Sequence, residues 1–300
     1  MSEPPTWLWA VFTLVAAGAQ TARNAMQREL TGTLGTVGAT HVRFLFGFPF
    51  AVLALLGIVL VTGLTLPKPN VAFWTWNLVG AVSQIFATGL MLAAMGERSF
   101  VVTIAYTKTE PVQVAMFGLI FLGEHVTPLL AAAILIATAG VMLMSWRPGA
   151  AAGSVRPALL GIGSGALFAA SAIGYRGAIR ALEDTSYFMA SSFTLAVALV
   201  IQAAMLSLYL AIRERAVLVA IMSHWRKSMF AGFMGALASE FWFAAFALAT
   251  AASVRTLALV EVLFAQAVSV LIFRQMVSRR DMLGIVLVVL GVGLLLYAYG

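Results

Sequence analysis

The sequence predicts an all-α polytopic membrane protein with ten transmembrane helices, arranged as two inverted five-helix repeats around a central cavity. One supporting observation is composition. The chain is 62% hydrophobic and only 10% charged, with a mean hydropathy of +1.00, whereas soluble domains carry roughly 25% charged residues. The other is the recurrence, from end to end, of apolar runs near the ~20 residues that cross a bilayer. Lipid is therefore the solvent that suits this chain.

Ten apolar runs are long enough to be predicted as spans. They consume nearly the whole chain, and the longest connection, around residues 213–227, leaves no room for a fused soluble domain. The first run lacks a basic leader and a small-residue cleavage site, so it is predicted to remain as a span. The predicted spans are residues 7–26, 36–61, 73–96, 99–122, 128–146, 157–180, 187–212, 229–250, 253–274 and 281–299.

A shift of 151 residues aligns the two halves of the chain. Glu110 then falls on Glu261, and Gly140 falls on Gly291 near the end of the last span of each half. The same polar turn and apolar helix precede both glycines. The sequence therefore predicts an internal repeat, which we place at residues 1–149 and 150–300.

Each predicted repeat contains five spans. Because five is odd, the second repeat must enter the membrane from the opposite side. Inverted repeats are typical of secondary transporters, whose substrate site lies near the bilayer midplane between the halves. We therefore expect a central cavity there.

Orientation is predicted from the basic residues, which collect in cytoplasmic loops. Eleven lie in the loops on one side of the predicted spans and two, Lys68 and Arg180, on the other. This distribution places the first set in the cytoplasm and both termini on the periplasmic side of the inner membrane. The eleven are Arg28, Arg98, Arg147, Arg156, Arg213, Arg215, Arg226, Lys227, Arg274, Arg279 and Arg280.

The segment TKTEPVQ places charges and a proline within an apolar run. In a helix, Tyr106, Glu110 and Gln113 share one face, whereas Lys108 points toward another helix or the head groups. Pro111 removes one backbone hydrogen bond and bends the helix. An ionisable group in a span usually faces a cavity or a partner, so this stripe predicts the wall of a wet cavity. Alternatively, Glu110 pairs with an arginine and only holds helices together.

The first span carries a second polar stripe. Gln20, Asn24 and Gln27 lie on one helix face at spacings of four and three, which predicts cavity lining. Arg23 either meets a substrate carboxylate or reaches back to the membrane surface. We favour the second, because long basic side chains commonly extend to the interface.

Two further carboxylates lie within predicted spans. Glu261 is a candidate for substrate binding, although Arg255 is near enough in sequence to pair with it. Glu240 has two aromatic neighbours and corresponds roughly to Gln84 of the first half. Each has a functional and a structural interpretation.

Two aromatic residues, Trp242 and Tyr175, lie deep in their predicted spans, where they either stack on an apolar or aromatic substrate or pack against helices and lipid. Tyr106 is better placed because it shares a face with Glu110. The candidate substrate-binding residues are Gln20, Asn24, Gln84, Tyr106, Glu110, Gln113, Tyr175, Glu240, Trp242 and Glu261.

Catalytic, metal and cofactor sites are not predicted. The chain has no cysteine, and His41, His125 and His224 have no HExxH spacing. An intramembrane enzyme is therefore disfavoured. A channel is also disfavoured, because no ring of like charges is visible. The net charge of +7 is better explained by cytoplasmic loops than by nucleic-acid binding.

Residues 110–142 contain a proline-bearing fourth span, an acidic turn and a Gly-Val fifth span, residues 261–293 form a second copy of this segment, and Arg43 lies in the second span. In these features the chain resembles the EamA branch of the drug/metabolite transporter superfamily. More narrowly it is similar to exporters of the YddG type, which favour aromatic amino acids. The resemblance implies export by alternating access without ATP. It also implies termini in the cytoplasm, opposite to the charge count.

The second copy departs from the first at two positions. Val262 stands where the first copy has Pro111, and Gln275 stands where it has Glu124. We therefore expect the two fourth-type helices to bend differently.

The sequence thus predicts a monomeric secondary exporter in the lipid bilayer. Its substrates would be small metabolites, amino acids and aromatic ones among them, held by Glu110 or Glu240 at the ammonium and by amides at the carboxylate. The alternative is an exporter of drugs and other cationic compounds, because the carboxylates would suit these equally.

Overall fold

The computed structural model describes residues 4–97, 106–145, 156–264, 266 and 278–299, and these residues contain helices, turns and no strand. The helices are α1 (Leu8–Leu45), α2 (Phe48–Thr62), α3 (Val71–Glu97), α4 (Glu110–Leu122), α5 (Pro128–Ser145), α6 (Arg156–Arg180), α7 (Tyr187–Arg213), α8 (Arg215–Ser223), α9 (Trp225–Leu248), α10 (Ala251–Leu257) and α11 (Arg279–Tyr299).

Six stretches in the described residues are long and apolar enough to cross a membrane, and α4 and α5 are shorter apolar helices. The first stretch, Leu8–Thr62, joins the predicted spans one and two. It bends at Gly35, whose φ of 68° and ψ of 175° are not helical. Residues that have a side chain rarely adopt a positive φ, so glycine suits this bend.

Lipid exposure is clearest on α2. Only Ala51 and Leu55 are buried along this helix, whereas Leu60 and Val61 are more than four-fifths exposed. A soluble protein rarely exposes such a continuous apolar face. The apolar surface of α2 is therefore suited to lipid.

Three helix pairs make the most extensive contacts: α3 with α6, α1 with α9, and α5 with α11. Small residues let these helices approach closely. A Cβ atom added to Gly174 of α6 would lie 2.6 Å from the backbone nitrogen of Gly80 in α3. In the same way, a Cβ on Gly232 of α9 would lie 2.4 Å from Cβ of Phe46, just beyond α1.

The close contacts that a glycine of α5 makes with α11 are matched by those that a glycine of α11 makes with α5. A Cβ on Gly140 would meet the carbonyl oxygen of Gly284 at 2.7 Å and the nitrogen of Val288 at 2.8 Å. A Cβ on Gly291 would meet the carbonyl oxygen of Ala133 at 2.8 Å and the nitrogen of Ala137 at 2.6 Å. The offset of 151 residues converts the first set of contacts into the second.

The predicted spans 99–122 and 253–274 are each interrupted within their described residues. α4 begins only at Glu110, after a turn at residues 108–109, and α10 ends at Leu257, before the 3₁₀ turn Ala258–Val260. Residues 98–105, 265 and 267–277 lie outside the described residues, so Gln275 is not compared with Glu124.

Candidate functional site

Two helical segments inside the bundle begin at glutamates. α4 starts at Glu110, and helical backbone resumes at Glu261 after the 3₁₀ turn. The N–H groups at a helix start carry a partial positive charge, which favours a carboxylate there. Interrupted helices at corresponding positions of two repeats point to a binding site. The interruptions therefore direct attention to these two glutamates.

Each glutamate pairs with a cation from the other half of the chain. Glu110 Oε1 lies 3.0 Å from Nε of Arg255, and Glu261 Oε2 lies 2.6 Å from Nζ of Lys108. Thr21 donates a hydrogen bond of 2.9 Å to Glu261 Oε1. Lys108 thus points to another helix, as one of the predicted alternatives had it. The structural alternative for Glu110, pairing with an arginine, is also what the structure shows.

All four side chains of these two ion pairs are at most 10% exposed. The desolvation cost of such charges offsets much of their attraction, so a buried pair contributes little net stability, yet removing one partner is strongly destabilising. Arg255 also lies over the ring of Trp242, with 4.4 Å from Cζ to the ring centroid. Each pair therefore links a buried charge of one half of the chain to a buried charge of the other.

The polar stripe of α1 lies beside these pairs. Trp242 donates a hydrogen bond of 3.1 Å to Gln20 Oε1. Arg23 donates to Asn24 Oδ1 from Nη2 at 2.7 Å and from Nε at 3.3 Å. Gln27, on the same helix face, is buried and donates to the carbonyl oxygen of Ala39. This last contact lies within α1, so Gln27 serves the bend rather than the cavity.

The prediction that Arg23 reaches the membrane surface is wrong. Only 1% of Arg23 is exposed, because α9 packs along α1. A Cβ on Gly235 of α9 would lie 3.3 Å from Cδ of Arg23 and 3.2 Å from Cγ of Arg43. The aliphatic parts of Arg23 and Arg43 therefore both lie against Gly235, in the protein interior.

A small cavity lies between these groups, and we call it the central cavity. Its volume is about 20 Å³, which is room for about one water molecule. Met91 and Phe168 contribute apolar walls. The polar walls are formed by Gln20, Arg23, Asn24, Thr107, Lys108, Glu110 and Arg255.

Three of the candidate substrate-binding residues, Gln20, Asn24 and Glu110, line the central cavity. Glu261 and Trp242 do not line it, but each contacts a residue that does. The polar lining also includes four residues that were not among the candidates, Arg23, Thr107, Lys108 and Arg255. Arg255 was considered only as a partner for Glu261, whereas the structure pairs it with Glu110.

Tyr175 and Gln84 lie in a different buried network, between α3, α6 and α7. Tyr175 donates a hydrogen bond of 3.0 Å to Gln84 Oε1, and Gln202 Nε2 lies within 3.1 Å of both. The ring of Tyr175 also packs against Phe243, with 4.3 Å between centroids. Gln202 was missed because a single amide in an apolar run gives no periodic signal.

The remaining candidates lie apart from the central cavity. Ser192 donates a hydrogen bond to Glu240, which joins α7 to α9. Tyr106 is partly buried just before the turn that precedes α4, and Gln113 lies near Gly165 of α6. Because the turn at residues 108–109 interrupts the helix, the three-residue stripe of Tyr106, Glu110 and Gln113 is not continuous.

The sequence profile described as "EamA-like transporter family" matches residues 7–146 and again residues 155–297. The chain belongs to the EamA-like transporter family. Two matches cover nearly the whole length, so the chain contains two EamA repeats. Together with the long apolar helices, this identifies a multi-pass membrane transporter of the drug/metabolite transporter superfamily.

The structural comparison supports the fold of this EamA-like transporter. A solved structure titled "Crystal structure of protein" superposes with a TM-score of 0.71 at 16% identity, covering 96% of this chain and 94% of that chain. At this identity the likeness concerns the fold alone. The search of curated protein sequences gives no match.

Two larger cavities of the EamA-like transporter lie away from the ion pairs. One, of about 420 Å³, is apolar and includes Phe86, Met205 and Tyr209 in its lining. The other, of about 390 Å³, lies among the connections that include Lys68 and Asp184. Among the described residues, no group of three His, Asp or Glu side chains could hold a metal ion.

Proposed function

We propose that this EamA-like transporter is a secondary exporter of small metabolites, amino acids and aromatic amino acids among them, that works by alternating access. Two ion pairs at the central cavity carry the proposal, Glu110 with Arg255 and Glu261 with Lys108, and we call them the crossed pairs. Each joins a carboxylate of one half to a cation of the other. Rocking of the halves would break these pairs, and a bound substrate would replace them.

The proposed architecture is ten spans in two inverted repeats, residues 1–149 and 150–300. The bend at Gly35 divides the first apolar stretch into residues 8–34 and 36–62. At ~1.5 Å per residue each part is about 40 Å long, enough for the ~30 Å hydrocarbon core. The exchanged contacts of Gly140 and Gly291 are those that a two-fold axis between inverted repeats would produce. These observations support the count and a two-fold relation between the repeats, and the inversion follows from the odd number of spans in each.

The proposed site retains all ten candidate residues, with different proximity to the substrate. Gln20, Asn24 and Glu110 would contact it directly, whereas Glu261 and Trp242 would act through their partners Lys108 and Gln20. Tyr106 and Gln113 would join the lining when the turn before α4 rearranges. Tyr175, Gln84 and Glu240 would contact substrate only in a more open conformation. One chain supplies the whole central cavity, which suits a monomer.

Transport itself is tested by counterflow in proteoliposomes loaded with a panel of unlabelled amino acids. We expect labelled phenylalanine or another panel member to accumulate with purified protein and not with empty liposomes. Glu110→Gln should lower the rate, because it leaves Arg255 without its partner. If Glu110→Gln transports at the wild-type rate at every pH, Glu110 has no role in proton coupling. If no panel member accumulates, amino acids are the wrong substrate class.

One observation favours a second candidate, an exporter of organic cations. Trp242 and Phe246 already hold the guanidinium of Arg255, at 4.4 and 5.3 Å from their ring centroids. Aromatic faces of this kind also attract cationic ligands. Quaternary ammonium compounds in the same counterflow panel distinguish the two candidates.

We also propose that the protein lies in the inner membrane with both termini periplasmic. Single cysteines can test this, because the chain has none. A membrane-impermeant maleimide is expected to label Thr6→Cys and Thr65→Cys in intact cells, and Ser223→Cys only after lysis. Labelling of Ser223→Cys alone in intact cells would reverse the orientation, as the cytoplasmic termini of related exporters imply.

A further inference from the structure

The central cavity contains a cation without a carboxylate partner. Arg23 donates from Nε and Nη2 to Asn24, but its buried Nη1 has no hydrogen-bond partner in the described residues. Lys108 and Arg255, the other two cations of the lining, each have a glutamate. A buried guanidinium is normally paired, because desolvating an unpaired charge is costly. Arg23 is thus set for a group that is not part of the protein.

The described acidic residues do not neutralise the charge of Arg23. Side chains are described for all of them except Glu3 and Glu97, and none of the described ones forms an ion pair with Arg23 or Arg43. Within the described part of the chain, Arg43 donates to two hydroxyls, those of Thr88 at 3.3 Å and Ser239 at 3.5 Å. Two adjacent buried arginines therefore give this part of the interior an excess of positive charge.

The amides at the cavity also present donors. An indole N–H can only donate, so its hydrogen bond from Trp242 fixes the oxygen of Gln20. A guanidinium can likewise only donate, so Arg23 fixes the oxygen of Asn24. Both amide oxygens thus accept hydrogen bonds inside the protein, and neither NH₂ group donates to another described residue. The polar residues of α1 that line the cavity therefore offer N–H donors to a ligand.

From this arrangement we infer that the central cavity is a carboxylate-binding site, with Arg23 as its anchoring cation and the amides of Gln20 and Asn24 as further donors. Three donor groups suit the two oxygens of one carboxylate. An ammonium group would have to compete with Arg255 and Lys108 for the carboxylates of Glu110 and Glu261, because each carboxylate already lies beside one of these cations. Substrates whose negative groups outnumber their positive ones, organic acids, are therefore favoured over zwitterions and cations.

This inference rests on the proposed function only in taking the central cavity as the substrate site. Binding is therefore measured separately from transport, by calorimetric titration of the purified full-length protein in detergent. The three ligands are phenylalanine, 3-phenylpropanoate, which lacks the ammonium group, and phenylalanine amide, which lacks the carboxylate. All three have the same side chain and differ only in these charged groups. We expect 3-phenylpropanoate to bind at least as tightly as phenylalanine and the amide at least tenfold more weakly.

Arg23→Gln keeps a donor for Asn24 and removes the charge. We expect it to weaken binding of 3-phenylpropanoate at least tenfold, and Arg23→Lys to weaken it less. Arg213→Gln is the matched control, because Arg213 is exposed at the end of α7 and should leave the affinity unchanged. If Arg23→Gln does not fold, the three ligands on the unaltered protein still decide the question.

Several outcomes overturn the inference. It is wrong if the amide binds as tightly as the acid, if Arg23→Gln folds and leaves the acid's affinity unchanged, or if no ligand of the series binds. If orthophosphate binds and the acid does not, the site accepts an oxyanion but not a carboxylate. Charge-selective binding without counterflow of any ligand would instead overturn the proposed export and leave the carboxylate site standing.

Discussion

Replacing Gly291 with alanine is expected to force α5 and α11 apart and to lower the melting temperature of the purified protein by several degrees. The added Cβ would lie 2.6 Å from the backbone nitrogen of Ala137 and 2.8 Å from the carbonyl oxygen of Ala133. Backbone atoms cannot rotate away as a side chain can, so the helices must separate. Overpacking of this kind costs about 1–3 kcal/mol. Gly140→Ala should behave alike, because its Cβ meets Gly284 and Val288 in the same way.

Gly293 offers a matched control in the same helix. A Cβ on Gly293 has nothing within 4 Å, so Gly293→Ala should be neutral, or stabilising by up to ~1 kcal/mol through helix propensity. The measurement is the thermal unfolding midpoint in detergent for all three variants. Equal midpoints for Gly291→Ala and Gly293→Ala would mean that close approach of α5 and α11 does not stabilise the protein.

Glu261→Gln is expected to produce the largest loss of stability, because it leaves Lys108 buried without a counter-charge. Removing one partner of a buried ion pair costs about 3–5 kcal/mol. The double substitution Lys108→Met with Glu261→Met should recover most of that loss, since replacing both charges by apolar groups is often neutral or stabilising. Transport should remain impaired in the double variant, because the charges that the proposed rocking exchanges are gone.

The exposed ion pair between Lys227 and Glu29 provides the control for this prediction. Its atoms lie 2.5 Å apart, but both side chains are more than half exposed, and such pairs contribute about 0–1 kcal/mol. Glu29→Gln should therefore leave both stability and transport close to wild type. If Glu261→Gln is as stable as Glu29→Gln, Lys108 has another acceptor and the crossed pairs do not join the two halves.

The class of fold could be predicted from the sequence because its cause is local. A chain with 10% charged residues and apolar runs throughout is suited to lipid, however its helices pack against one another. A helix satisfies its backbone hydrogen bonds within one segment, so apolar runs of this length are expected to span the membrane as helices. The internal repeat could also be detected, since Glu110, Gly140 and their counterparts keep one register. Gln20, Asn24 and Glu110 were found as cavity candidates because charges and amides in a span need polar surroundings.

The breaks before Glu110 and Glu261 were not predicted. The continuous apolar pattern of each run predicts one helix, and composition alone does not mark where a turn replaces helical backbone. In the folded protein, Lys108 lies in the first of these turns and Arg255 lies near the end of α10, and each pairs across the repeat interface. Contacts between residues about 150 positions apart therefore accompany the turns.

The sequence by itself determined the solvent, the repeated order of apolar runs and which residues were too polar to face lipid, because these depend on composition and periodicity. Only the tertiary structure decided which charges pair. It buried Arg23 beneath α9 rather than letting it reach the surface, and it placed Tyr175 and Gln84 in a network apart from the central cavity. The physical reason is that a helix pattern gives the face on which a side chain lies, whereas its partner depends on which other helix packs against that face.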